Sequence, residues 1–121
     1  MGERLQEIEA GETIAVVSRQ LEAVMLEVGT EDFVRCTIAY EPVWAIGTGK
    51  SATPEIAQEV HAALRAELAG HRAELAQTVR ILYGGGVKPA NAVRSAGQRL
   101  RHRIFMRSAR RTDGAGRLRA F

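Results

Sequence analysis

The sequence has few aromatic residues, a single cysteine and no long apolar run. Aromatic side chains make up 5% of its 121 residues and hydrophobic ones 45%, so its core must be mainly aliphatic. No apolar run reaches the roughly 18 residues that a membrane-spanning helix needs. The first residues, MGERLQEIEAGET, contain no apolar secretion signal. Cys36 lies in an apolar run, which is more typical of a buried thiol than of a reactive one. These features predict a soluble protein of the reducing cytoplasm.

Charge divides the chain near residue 93. Residues 1–93 contain 8 Lys and Arg against 13 Asp and Glu, whereas residues 94–121 contain nine Arg and one Asp. A change of charge at one position indicates a boundary. We therefore expect one domain at residues 1–93, followed at 94–121 by a basic tail that is disordered or translated out of frame.

Apolar spacing predicts alternating helices and strands. Helices are predicted at 14–28, 53–68 and 72–77, a further helix start at 88–92, and strands at 34–40 and 79–83. Gly29 and Gly70 are the expected helix ends, and Thr53-Pro54 is a typical helix start. Alternating strands and helices indicate parallel β-α units, whose ligands bind at the carboxyl ends of the strands.

An acid and a small apolar loop follow the first predicted strand, in AYEPVWAIGTGK. Glu41 stands where that strand ends, and a desolvated carboxylate there could act as a base; a surface glutamate ending a strand is the alternative. Residues 45–49 could close as a lid with glycine hinges or form a plain surface turn.

Three glycines, Gly84, Gly85 and Gly86, follow the second predicted strand. They would let backbone N–H groups approach a phosphate, although a tight turn needs the same residues. His61 lies among helical apolar neighbours, so we expect it partly buried and not catalytic. The remaining histidines have no metal-ligand spacing, so we expect neither a metal nor a cofactor.

The stretch AYEPVWAIGTGKSATPE resembles the triosephosphate isomerase family, and so do GERLQEIEAGET before it and ILYGGGVKPANA after it. The resemblance covers residues 2–92, about three quarters of the chain. It implies an α/β fold, namely part of a TIM (β/α)8 barrel comprising about strands 6 and 7 with their flanking helices.

The resemblance also implies roles for individual residues. Glu41 would be the catalytic base that moves a proton between adjacent carbons of a triose phosphate. The phosphate would be bound by backbone groups of Gly47, Gly84, Gly85 and Gly86. The lid would hinge at Pro42, Val43 and Trp44 on one side and at Lys50, Ser51 and Ala52 on the other, and Tyr83 would latch it closed.

The sequence departs from the family pattern in four ways, one of which is that the Gly-Gly phosphate loop after the family's eighth strand, expected near residues 105–115, is absent. The family normally has a serine where this chain has Gly86. Its substrate-binding lysine and its histidine belong to strands that would precede Met1, and so does its main dimer-interface loop. We therefore expect the isolated chain to be inactive, with a complementing upstream fragment as one conceivable partner and a homodimer as the family's usual assembly.

The family resemblance stops near Ala92, where arginine becomes frequent. One hypothesis is a frameshift near codon 93 together with a start inside the gene; a genuine basic extension is the other. The alternative function is a non-catalytic fragment whose Arg-rich tail binds nucleic acid or another polyanion, which would require a steep salt dependence of binding.

Overall fold

Six helical segments and two strands make up the computed structural model, which describes residues 1–86. The elements are α1 (Leu5–Glu9), α2 (Thr13–Val28), α3 (Thr30–Phe33), β1 (Thr37–Tyr40), a 3-10 turn (Val43–Ala45), α4 (Pro54–His71), α5 (Ala73–Thr78) and β2 (Arg80–Tyr83). Within these residues no helix is both long and apolar enough to cross a membrane. The predicted helix start at 88–92 and the basic tail lie outside the described residues.

The two strands are parallel and neighbouring, which confirms the β-α unit expected from the sequence. Their register pairs Thr37 with Arg80 and Tyr40 with Tyr83. In both strands the second and fourth residues are buried, so one face of the sheet packs on the core. The helices α4 and α5 connect the strands, and the register brings their carboxyl ends to the same height.

The first residues of the chain pair with the other edge of β1. The Met1 amino group donates to the Ala39 carbonyl at 2.8 Å, and the Glu41 amide donates to the Met1 carbonyl at 2.8 Å. The Val43 amide donates in turn to the Glu3 carbonyl at 2.9 Å. Residues 1–3 therefore fix the backbone on both sides of the acid that follows β1.

Helices α2 and α4 pack on the sheet through aliphatic side chains. Thr53 caps α4, since its hydroxyl accepts the Ile56 amide at 3.3 Å, and Pro54 occupies the first turn as predicted. The core is aliphatic apart from Tyr40, Tyr83 and Phe33. Its fully buried aliphatic members are Val17, Leu21, Val60, Leu64, Leu68, Leu75, Val79 and Ile81.

Four details differ from the sequence-based expectation. The first strand begins at Thr37 instead of residue 34, because a turn after α3 occupies the preceding positions. Gly70 does not end α4, which continues to His71. The short helices α1 and α3 were not predicted. Cys36 is only partly buried, although it packs against the core.

Candidate active site at the carboxyl ends of the strands

The parallel register brings the two unusual loops together. Glu41 is the first residue after β1 and Gly84 the first after β2, and the Gly84 amide donates to the Tyr40 carbonyl at 2.9 Å. Both predicted loops therefore start from one edge of the sheet, where parallel α/β folds place their ligands.

The side chain of Glu41 lies directly over Gly84. A Cβ atom added to Gly84 would lie 2.8 Å from Cγ and 2.9 Å from Oε1 of Glu41. A real side chain would therefore displace the carboxylate. Glycine at position 84 therefore leaves room for the Glu41 carboxylate to lie over the end of β2.

Gly85 makes a similarly close approach to Pro42, the first residue of the predicted hinge. A Cβ there would lie 2.8 Å from Cδ of Pro42 and 2.6 Å from the Tyr83 hydroxyl. Pro42 is buried, and the chain then turns through the 3-10 segment to Ala45, which is 1% exposed. The first predicted hinge is thus packed against the glycine loop.

Glu3 fixes the beginning of the segment predicted to form a lid. Its Oε1 accepts a 2.7 Å hydrogen bond from the Trp44 indole and a 3.2 Å hydrogen bond from the Tyr40 hydroxyl. The residue is fully buried. The sequence analysis missed Glu3, because one acid in a polar segment carries no periodic signal; only its place in GERLQEIEAGET could have drawn attention to it.

Tyr83 fixes the far end of the predicted lid segment. Its hydroxyl accepts the Ala52 amide at 2.9 Å and donates to the Gly85 carbonyl at 2.6 Å. Burial raises the pKa of Tyr83, although the Ala52 hydrogen bond opposes that shift. A neutral hydroxyl can donate and accept at once, as this arrangement requires.

Residues 46–51, between the two tethered ends, are exposed. Gly47 and Gly49 have φ values of 72° and 77°, which favour glycine. The Thr48 hydroxyl donates to the Trp44 carbonyl at 2.9 Å and accepts the Lys50 amide at 3.3 Å. The side chains of Lys50 and Ser51 are at the surface, whereas the Lys50 carbonyl lies close to Gly86.

Behind the site, Tyr40 packs among aromatic rings. His61 contacts it edge-on at a centroid distance of 6.1 Å and is fully buried, more so than the sequence indicated. Burial, followed by the nearby Glu3 carboxylate, raises the pKa of Tyr40. Across residues 1–86, no three His, Cys, Asp or Glu side chains are grouped as metal ligands.

Comparison with known proteins agrees with the motifs. The sequence model of the family described as triosephosphate isomerase matches residues 1–101, beyond the boundary expected at residue 93. Triosephosphate isomerase of Pseudomonas syringae pv. syringae is 61% identical over 93 residues, that of Pseudomonas fluorescens Pf-5 is 58% identical over 93, and that of Pseudomonas aeruginosa LESB58 is 59% identical over 92.

These matches cover 76–77% of this chain but only 37% of each relative. The chain thus spans little more than a third of the length of the curated relatives it matches. The family model nevertheless covers most of the chain, and the relatives are 58–61% identical to it over the matched length. The chain belongs to the triosephosphate isomerase family.

Proposed function

We propose that this chain supplies the catalytic base and the lid of a triosephosphate isomerase, which interconverts glyceraldehyde 3-phosphate and dihydroxyacetone phosphate. The observation that carries the proposal is the packing of the Glu41 carboxylate against Gly84, at the shared carboxyl ends of two parallel strands. In this proposal β1 and β2 correspond to strands 6 and 7 of the barrel.

Glu41 takes a proton from one carbon of the triose phosphate and returns it to the neighbouring carbon, while the hydroxyl proton of the substrate passes from one oxygen to the other. The backbone N–H of Gly47 donates to the phosphate, and the glycine loop of Gly84, Gly85 and Gly86 lies beside it, because glycine lets an anion approach the main chain closely. The Gly84 N–H itself donates to the Tyr40 carbonyl, so Gly84 contributes its small size and not a donor. The phosphate group thereby positions the reacting carbons beside the carboxylate.

The lid excludes water from the proton transfer. Trp44 and Ala52 are the points where its two ends are tied, to Glu3 and Tyr83 respectively. Tethered ends with positive-φ glycines between them suit a segment that moves as a unit. A water-excluded site strengthens the electrostatic interactions of the carboxylate and prevents loss of the transferred proton.

The test is isomerisation of glyceraldehyde 3-phosphate, measured in protein from a host that lacks its own isomerase. The chain is assayed alone and after mixing with the part of a Pseudomonas relative that lies outside the match. We expect turnover in the mixture, because that part would carry the family's lysine, histidine and dimer-interface loop, and little turnover by the chain alone.

Glu41→Ala and Glu41→Gln are assayed in the same mixture. Both should abolish turnover, the second without changing the size of the side chain. Equal turnover by native and variant chains would mean that Glu41 is not the base. The comparisons give no support to the alternative of a polyanion-binding fragment, whose basic tail lies outside the described residues.

A further inference from the structure

The side chain of Gln20 pairs with both backbone groups of Gly2. Its Oε1 accepts the Gly2 amide at 3.0 Å, and its Nε2 donates to the Gly2 carbonyl at 3.1 Å. Gln20 projects from α2, 18 residues along the chain, and is half-buried. A carboxamide is the side-chain group that presents one donor and one acceptor side by side, as this pairing requires.

Gly2 in turn packs closely on the backbone of Glu41. A Cβ added to Gly2 would lie 2.0 Å from the Glu41 carbonyl oxygen and 3.1 Å from Cα of Pro42. The residue before it, Met1, accepts the Glu41 amide at 2.8 Å. The peptide groups on both sides of Glu41 are therefore set by the position of the Gly2 segment.

Gln20 also borders the surface beside Glu41. The two residues line one open groove of about 650 Å³, together with Gly2, Val24, Val43 and Ile46. Gln20 and Glu41 are the two polar side chains among these groove residues. Loss of the Gln20 carboxamide would therefore alter the structure next to Glu41, not in a distant part of the fold.

We propose that Gln20 is a positioning residue for Glu41, acting through Gly2. The carboxamide fixes the Gly2 segment, and that segment holds the backbone from which the Glu41 carboxylate projects over Gly84. The inference rests on the proposed function for its catalytic meaning, but the mechanical link between Gln20 and Glu41 can be measured without any turnover.

The experiment compares amide hydrogen exchange, resolved by NMR, in the native full-length chain, Gln20→Leu and the control Gln58→Leu. Gln58 is an exposed glutamine on α4, so it undergoes the same substitution away from the site. In Gln20→Leu we expect the Glu41 and Val43 amides to exchange about tenfold faster, as loss of about one hydrogen bond's stabilisation would allow. The Ile81 amide should keep its native rate in every variant.

An equal rise in the exchange rates of the Glu41 and Ile81 amides would overturn the proposal, because it would mean general destabilisation of the fold. The proposal would also be overturned if the Glu41 amide of Gln20→Leu exchanged at the rate of the native chain. If Gln20→Leu does not fold, Gln20→Glu replaces it, since a carboxylate keeps the shape and accepts from Gly2 but cannot donate to its carbonyl.

Turnover in the complemented mixture separates the two proposals. A positioning role predicts that Gln20→Leu lowers kcat with little change in KM, while Gln58→Leu changes neither. An unchanged kcat in Gln20→Leu would contradict the positioning role. A native mixture without Glu41-dependent turnover would refute the proposed function, and the exchange rates would still decide whether Gln20 holds Glu41.

Discussion

The Trp44 indole donates a 2.7 Å hydrogen bond to the carboxylate of Glu3, 41 residues earlier in the chain. The same oxygen accepts from the Tyr40 hydroxyl at 3.2 Å. Tyr40 precedes Glu41 and Trp44 follows it by three residues, so one buried acid fixes the chain on both sides of the proposed base.

Removal of the Glu3 carboxylate should therefore destabilise the fold. Glu3→Ala leaves two donors without their acceptor and opens a cavity, so we expect a loss of about 3 kcal/mol in the free energy of unfolding. Glu3→Gln keeps an acceptor oxygen and should cost about 1 kcal/mol. Urea unfolding followed by circular dichroism measures both.

The matched control for Glu3 is Glu22→Ala, at an exposed position on α2. We expect it to change the free energy of unfolding by less than about 0.5 kcal/mol. Equal costs at Glu3 and Glu22 would show that the buried carboxylate does not hold Tyr40 and Trp44 in solution.

Stability should fall at alkaline pH because of the buried tyrosines. Burial raises the pKa of Tyr40 and of Tyr83 above the ordinary value of 10.0. Their neutral forms therefore contribute stability that is fully present below pH 10 and is lost above it, since the unfolded chain ionises first. The free energy of unfolding, measured from about pH 9 to about pH 11, should decline less steeply in Tyr40→Phe. An identical slope in that variant would contradict the prediction.

The sequence predicted the elements that bring the site together. Strand and helix alternation indicated a parallel pair, and a parallel pair necessarily places the residues after Tyr40 and Tyr83 at one edge. The proximity of Glu41 to the three glycines followed from this argument without any knowledge of side-chain positions. The roles assigned to the lid residues stay predictions, and that of Tyr83 is tested below.

Long-range contacts could not be predicted in the same way. The bonds of Glu3 to Trp44 and of Gln20 to Gly2 join residues far apart in sequence, and no periodic pattern marks them. Gly70 was wrongly expected to end α4. A glycine inside a helix costs only about 1 kcal/mol, so it does not by itself end one. The helix continues to His71, and Arg72 follows it with an extended backbone and donates its N–H to the Leu68 carbonyl.

Loss of the Tyr83 hydroxyl should release Ala52, at the far end of the predicted lid segment. Tyr83→Phe removes the acceptor of the Ala52 amide and the donor to Gly85, so we expect a loss of about 1–2 kcal/mol in stability. The Ala52 amide should exchange faster with solvent. Tyr40→Phe is the control, because it removes a buried hydroxyl that does not contact Ala52. Equal Ala52 exchange in the two variants would mean that Tyr83 does not hold this end.

Replacing Gly86 with serine, the residue that the family normally has at this position, should destabilise this chain. Gly86 has φ of 69°, and a Cβ there would lie 2.5 Å from the Lys50 carbonyl oxygen. Left-handed backbone costs a non-glycine residue about 1 kcal/mol or more, and the contact would push the second hinge aside. We expect Gly86→Ser to lower the free energy of unfolding by about 2–3 kcal/mol, measured by urea unfolding.

The variant Gly47→Ser separates backbone strain from the collision with the Lys50 carbonyl. Its φ of 72° imposes the same backbone strain, but an added Cβ meets no heavy atom within 4 Å. The excess cost at Gly86 over Gly47 therefore measures the collision with Lys50 alone. Equal costs would show that the Lys50 carbonyl moves freely away from the glycine loop. A Gly86→Ser variant as stable as the native chain would mean that the loop adopts a different backbone in solution, one that accommodates the family's serine.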